Sequence, residues 1–202
     1  LAAFDFPFGL PREFVLAHQL GSTADEVITT LHQRCPTRMA FRALVDAWGT
    51  QVLVGAGTVS DRNQLDDLRA AGGRLMVTPH TDPTLIAEAS AQGLVTAIGC
   101  ATATEAFAAL RAGATALKLF PAGVLGTGLV SALRSVLPAG VPLLAVGGIR
   151  PDNLGAFVQA GCGGAGLGSE LYRAGQAPDR TALQARAFVA AWDALQTPAH
   201  RE

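Results

Sequence analysis

The sequence predicts an α/β fold of the (β/α)8 TIM-barrel type, with the first two βα units atypical or missing. Three observations carry this. From residue 52 onward, short apolar runs alternate with helical patterns at intervals of roughly one βα unit. The runs are continuously apolar instead of alternating, as parallel strands covered on both faces must be. Thr58, His80, Cys100, Lys118, Gly147-Gly148 and Gly168-Ser169 fall at or just after the C-terminal ends of those runs. In an α/β barrel that rim carries the active site.

The bulk composition agrees. The chain has 202 residues, 50% hydrophobic and 15% charged, with 23 glycines and a formal net charge of −1. That suits one well-buried α/β domain. With no basic run, nothing points to a nucleic-acid surface or a membrane patch. No apolar stretch approaches the roughly 18 residues of a membrane span, and LAAFDFPFGLPREF lacks the basic start and apolar core of a signal peptide. Cys35, Cys100 and Cys162 are odd in number and widely spaced, which reads as reduced thiols in a cytoplasmic protein. His18, His32, His80 and His200 make no metal-binding spacing.

The chain divides at about residue 50. Residues 1–50 form an N-terminal segment, and 51–202 hold barrel units three to eight. AAFDFPFGLPREF is a poor match to a barrel's first strand. DEVITTL has strand-forming Val, Ile and Thr. It also follows a Thr23-to-Glu26 capping box, with Val27 and Leu31 at helical spacing, so helix is favoured. Glu26 then sits solvated in a first helical turn.

The later strands are read from VLVGAGT (52–58), RLMVTPH (74–80), LVTAIGC (94–100), ALKLFPA (116–122), PLLAVGGI (142–149) and GAGLGSE (164–170). Between them, Ser60 or Asp61 caps one helix, with Leu65 and Leu68 facing inward. Asp82-Pro83 opens the next. Thr104-Glu105 opens EAFAALRAG, which stops at Gly113. Pro151 starts a helix that stops at Gly161, and a last helix spans roughly 179–195 with Leu183, Phe188, Val189 and Trp192.

Lys118 is the only lysine, the other fourteen basic residues being arginine. A lysine in a strand is ordinarily an edge gatekeeper with a solvated head. Here the neighbours Leu117, Leu119 and Phe120 are apolar, and the strand is mid-series. Facing the barrel mouth, the amine is desolvated, which favours its neutral form. Arginine does not deprotonate in proteins. A chain otherwise built with arginine thus has a chemical reason to keep one primary amine: a Schiff base with a carbonyl substrate. AVGGIRPDN (145–153) and GAGLGSELY (164–172) each read as strand, glycine turn and helix start. Glycines alone can simply permit tight turns. Two such turns on the last two strands, with Ser169 available, favour a phosphate held by backbone N–H groups. Lysine and phosphate site together imply a phosphorylated keto compound.

The motifs VGAGTV, VTP, KLFP, AVGGI and GLGS make residues 52–195 resemble the class I aldolases acting on 2-keto-3-deoxy-6-phospho sugar acids. GCATATEAF and GAGLGSELYRAGQ are most similar to the 2-dehydro-3-deoxy-6-phosphogalactonate branch of that family. The resemblance implies a (β/α)8 barrel, typically a homotrimer, needing no metal or cofactor. It implies cleavage of the 6-phosphate substrate to pyruvate and glyceraldehyde 3-phosphate. Lys118 would be the Schiff-base lysine and Thr58 would lie beside the pyruvyl carboxylate. Pro79 and Phe120 would wall the pocket, and Gly147, Gly148, Gly168 and Ser169 would hold the phosphate. Ile98 replaces the family's usual proline and removes no functional group.

The N-terminal segment departs from that pattern. The family carries an L-R-G motif after strand one and a glutamate in an E-I-P-L or E-V-T-L run on strand two, and neither is present. Spacing puts the glutamate's position near Ile28 or Thr29. Glu26 is the nearest carboxylate and therefore the acid/base candidate. DFPFGLP is similar to a motif of a predicted ribonuclease-H-like family, in which Asp5 would belong to a metal-dependent site. The expected function is a class I aldolase slowed by the missing glutamate, the alternative being a non-catalytic phosphosugar-binding or structural barrel.

Overall fold

The computed structural model describes residues 2–4, 13–18, 38–50, 52–173 and 175–196. Its strands are β1 (Ala2–Phe4), β2 (Glu13–His18), β3 (Leu53–Gly57), β4 (Leu75–Val77), β5 (Val95–Cys100), β6 (Ala116–Leu119), β7 (Leu143–Val146) and β8 (Gly164–Leu167). They hydrogen-bond in sequence order and close into a barrel. β3 to β8 are parallel, and β8 pairs in parallel with β1. β2 alone runs antiparallel to both neighbours. The chain therefore has a parallel α/β curl of six βα units, completed by two strands that do not repeat that unit.

One expectation is corrected here. AAFDFPFGLPREF reads as unsuited to a barrel's first strand, yet Ala2–Phe4 is β1, with Ala3 opposite Gly166 of β8 and Ala17 of β2. Pairing is a property of the backbone. The sheet edge at β8 offers unpaired N–H and C=O groups that three residues of almost any type can satisfy. Asp5 and the DEVITTL stretch with Glu26 lie outside the described residues.

The helices are α1 (Arg38–Trp48), α2 (Arg62–Ala70), α3 (Pro83–Ala91), α4 (Ala103–Arg111), α5 (Ala122–Arg134), α6 (Pro151–Gln159) and α7 (Pro178–Gln196). Asp61 starts α2 by accepting from the Gln64 N–H at 3.0 Å. Asp82 starts α3 by accepting from Thr84 and Leu85 at 2.9 and 3.2 Å. α4 begins earlier than the Thr104-Glu105 reading places it. Thr102 is the cap, its hydroxyl accepting from the Glu105 N–H while the Glu105 carboxylate takes the Ala101 N–H at 2.8 Å and the Thr102 hydroxyl. α5 has no clear helical signature in the sequence. Gly123, Gly126 and Gly128 blur its pattern, and Gly126 breaks it, at φ 75° and ψ 170°. Beyond that break Val130 and Leu133 are buried one helical turn apart.

Two apolar layers result. Between sheet and helices lie Met76, Ile98, Leu117, Leu119, Leu143 and Leu167 with the inner helix faces. Inside the barrel lie Leu75, Val77, Ala97, Ala116, Leu144 and Val146, with Leu53, Val95 and Phe120 packed on them. Successive residues of one strand go to opposite layers. β4, β6, β7 and β8 are buried at every position, so their sequences are apolar throughout except for Lys118 in β6. Ile98 is wholly buried in the outer layer. No helix of the described residues is long and apolar enough to cross a membrane.

Candidate active site

Lys118 is the third residue of β6. Ala116 and Phe120, two residues either side, belong to the barrel interior, so strand alternation puts Lys118 inside as well. It is 3% exposed. Its register neighbours are Gly99 on β5 and Leu144 on β7. Gly99 has no side chain, and the Pro79-His80 backbone packs where its Cβ would be. The Lys118 Nζ sits 4.7 Å from the centroid of the Phe120 ring, within cation–π range. A primary amine held in an apolar barrel interior can attack a carbonyl carbon and carry the resulting imine.

The surrounding rim is built from the ends of β3, β4, β7 and β8. Thr58 follows β3 in the left-handed region, at φ 55°. A β-branched residue rarely adopts that conformation, and such strain concentrates at functional sites. Pro79 follows β4 and is half-buried, with His80 exposed beside it. After β7, Gly147 and Gly148 have φ 88° and 74°. A Cβ on Gly147 would lie 3.2 Å from the Phe120 ring, so only glycine suits both the backbone and the contact. The two carbonyls are turned back into the fold. Gly123 N–H donates to the Gly147 oxygen at 2.8 Å, and the Asn153 amide donates to the Gly148 oxygen at 3.0 Å. Asn153 also accepts from the Arg150 N–H at 2.8 Å. A glycine turn held this way at the start of α6 is suited to an anion.

After β8, the Gly168 oxygen accepts from the Leu171 and Tyr172 N–H groups at 2.9 and 3.0 Å. Arg173 Nε donates to the Ser169 oxygen at 3.1 Å, and the Gln184 amide on α7 donates to the Glu170 oxygen at 2.8 Å. Ser169 is exposed on this turn. Lys118, Phe120 and Gly147 are thus in one chain of contacts. Thr58, Pro79, Gly148, Gly168 and Ser169 share the same end of the parallel strands. Glu26 lies outside the described residues. Among these residues no group of three or more His, Cys, Asp or Glu side chains could hold a metal ion.

Sequence reasoning missed Gly99, Thr78, Gly123 and Asn153. Asn153 had a signal, since it stands three residues after Arg150 at the start of a helix. The others act through backbone partners on neighbouring strands, which local sequence does not reveal.

Cys100 ends β5 close to this rim, but its thiol is pushed up to about 11, chiefly by burial and further by the Glu105 carboxylate. Burial pushes Cys162 up to about 11 too, with Arg134 opposing. The thiolate is the reactive form. Iodoacetamide at pH 8 should therefore modify both at least about 100-fold more slowly in the folded than in the unfolded chain, read by peptide mass mapping. Equal rates would contradict the burial of these thiols. The linkage has a definite sign. Both groups hold their proton to higher pH when folded, so their contribution to stability is whole below the ordinary thiol range. It is lost as pH rises through about 11. Hydrogen bonding from the Ala101 N–H holds the Glu105 carboxyl below its ordinary value, against a smaller opposing effect of burial.

The model of the family "Aldolase: KDPG and KHG aldolase" matches residues 20–185. The chain belongs to this aldolase family. It is 52% identical over 150 residues to the 2-dehydro-3-deoxy-6-phosphogalactonate aldolase of Escherichia coli (strain K12), covering 74% of this chain and 73% of the relative. Among solved structures it is similar to one described as native KDPGal structure. There the TM-score is 0.78 and the identity 49%, over 80% of this chain and 79% of the other. It is also similar to a cube-shaped protein cage designed by fusing symmetric oligomeric domains, with TM-score 0.80 and 44% identity over 86% of this chain and 67% of that one. Membership of the aldolase family makes the chain a carbon–carbon lyase.

Proposed function

We propose that the chain is a class I aldolase cleaving 2-dehydro-3-deoxy-6-phosphogalactonate to pyruvate and D-glyceraldehyde 3-phosphate through a Schiff base on Lys118. The observation that carries this reading is the burial of the chain's only lysine inside an apolar barrel, on a strand flanked by two others. The substrate follows from the relative's name and from the two glycine turns at the same rim.

The neutral Lys118 amine adds to the C2 ketone, giving a carbinolamine that loses water to a protonated imine. A base takes the C4 hydroxyl proton, the C3–C4 bond breaks, and its electron pair moves into the iminium. D-glyceraldehyde 3-phosphate leaves. The enamine takes a proton at C3, and water hydrolyses the imine to release pyruvate and restore the amine. The iminium is the electron sink, so the scheme calls for no metal or cofactor.

Thr58 is assigned to the carboxylate, Pro79 and Phe120 to the walls, and Gly147, Gly148, Gly168 and Ser169 to the phosphate. Thr58's left-handed backbone and the carbonyl bracing of the Gly147-Gly148 turn support these assignments. Glu26 is the acid/base candidate, with turnover slower than in relatives that carry the strand-two glutamate. A homotrimer, a cytoplasmic location and a division near residue 50 belong to the same proposal. The symmetric oligomeric domains named for the cage structure support self-association. Nothing observed favours the non-catalytic reading.

The test is pyruvate release, coupled to lactate dehydrogenase, from the galacto and gluco C4 epimers of the substrate. Faster release from the galacto epimer is expected. Release from neither by the folded protein would refute the assignment.

A further inference from the structure

We propose that Thr78 is a positioning residue for the reaction at Lys118, a role that rests on the Schiff-base reading above. β4 ends at Val77, and the chain then leaves the sheet. The ladder between β4 and β5 stops with Val77 opposite Ala97. Two threonine hydroxyls continue it. Thr78, 1% exposed, accepts from the Gly99 N–H through its Oγ1 at 3.2 Å. The same hydroxyl donates to the His80 carbonyl at 2.6 Å. Thr81 Oγ1 donates to the Gly99 carbonyl at 2.8 Å. Both backbone groups of Gly99 are therefore held by side chains from one short turn.

The consequence falls beside Lys118. Gly99 is its register neighbour. Ala97 lies inside the barrel and Ile98 outside, so the Gly99 side-chain position points inward. That position is already filled. A Cβ there would lie 2.5 Å from the Pro79 oxygen and 2.8 Å from the His80 nitrogen. The Pro79-His80 backbone thus takes the place of a side chain on the flank of the lysine. The Thr78 hydroxyl fixes both ends of the arrangement, Gly99 below and His80 above. Its role is to seat this wall against the keto acid that Lys118 attacks. An error of about 1 Å in such a wall can cost about 100-fold in rate.

Thr78→Val keeps the shape and removes both hydrogen bonds, and Thr78→Ser keeps the hydroxyl. The readouts are the rate of borohydride trapping with pyruvate and the kcat and KM for cleavage, each per folded molecule, beside Tm. Thr78→Val should slow trapping and lower kcat by about 10- to 100-fold, with Thr78→Ser restoring most of the rate. Should Thr78→Val not fold, Thr81→Val removes the other half of the clamp, and a smaller loss of both rates is expected. Trapping and kcat at the wild-type level in whichever of these variants folds, with only Tm lowered, would overturn the positioning role and leave the Lys118 reading standing. Absence of any Lys118 adduct in the folded wild-type protein would overturn the Schiff-base reading and this inference with it.

Discussion

Lys118→Met eliminates pyruvate release, lowering kcat by about four orders of magnitude or more, the scale on which losing a covalent nucleophile acts. Methionine matches the lysine stem in length and flexibility, so the barrel interior around Ala116, Phe120 and Leu144 stays filled. What is lost is the amine. Because the site is 3% exposed, replacing the amine with a thioether also removes the cost of burying a polar group. Tm should be kept or raised while activity disappears. Lys118→Arg should be equally inactive but less stable, since the guanidinium stays charged and is bulkier. Thermal melts beside the coupled assay check all three statements. Turnover retained by Lys118→Met would remove the covalent mechanism.

Gly147→Val should carry the next largest loss, because two faults coincide. The residue has φ 88°, which an L side chain reaches at a cost of roughly 1–2 kcal/mol and a β-branched one with more difficulty. Its Cβ would meet the Phe120 ring at 3.2 Å, and that ring lies against the Lys118 ammonium position. The turn assigned to the phosphate and the wall of the lysine would be disturbed together, so kcat/KM should fall about 100-fold and pyruvate trapping should slow as well. Gly148→Ala separates the two. Its φ is 74°, but its Cβ would approach Gly123 Cα at 3.3 Å and meets no atom of Phe120. It should raise KM for the phosphorylated substrate while leaving trapping by pyruvate, which has no phosphate, close to wild type. Equal effects of both variants on trapping would contradict the division of the rim into a lysine wall and a phosphate turn.

The legible parts of the fold were those that follow from burial. Strands covered on both faces must be apolar throughout, so β3 to β8 stood out. The lysine stood out for the same reason. Helices with a threonine or aspartate cap were found nearly in place. α5 was hidden because Gly123, which passes close to Gly147, together with Gly126 and Gly128 dilutes the helical pattern. β1 was hidden because its membership of the sheet depends on what β8 and β2 offer, not on its own side chains. The clamp at Thr78 was invisible for a related reason. Its hydroxyl accepts from the N–H of Gly99, 21 residues onward on another strand. Residue types mark chemistry, whereas positioning emerges only once strands are set side by side.

The central claim is that Lys118 forms an imine with the keto acid. Incubation with pyruvate and borohydride, followed by intact mass and peptide mapping, tests it directly. Because the chain has one lysine, the only other primary amine is the N-terminus, and assignment is unambiguous. The account predicts one reduced pyruvyl group on the peptide containing Lys118, absent without pyruvate and absent in Lys118→Met. A folded protein that gains no such mass, or gains it only at the N-terminus, would contradict it.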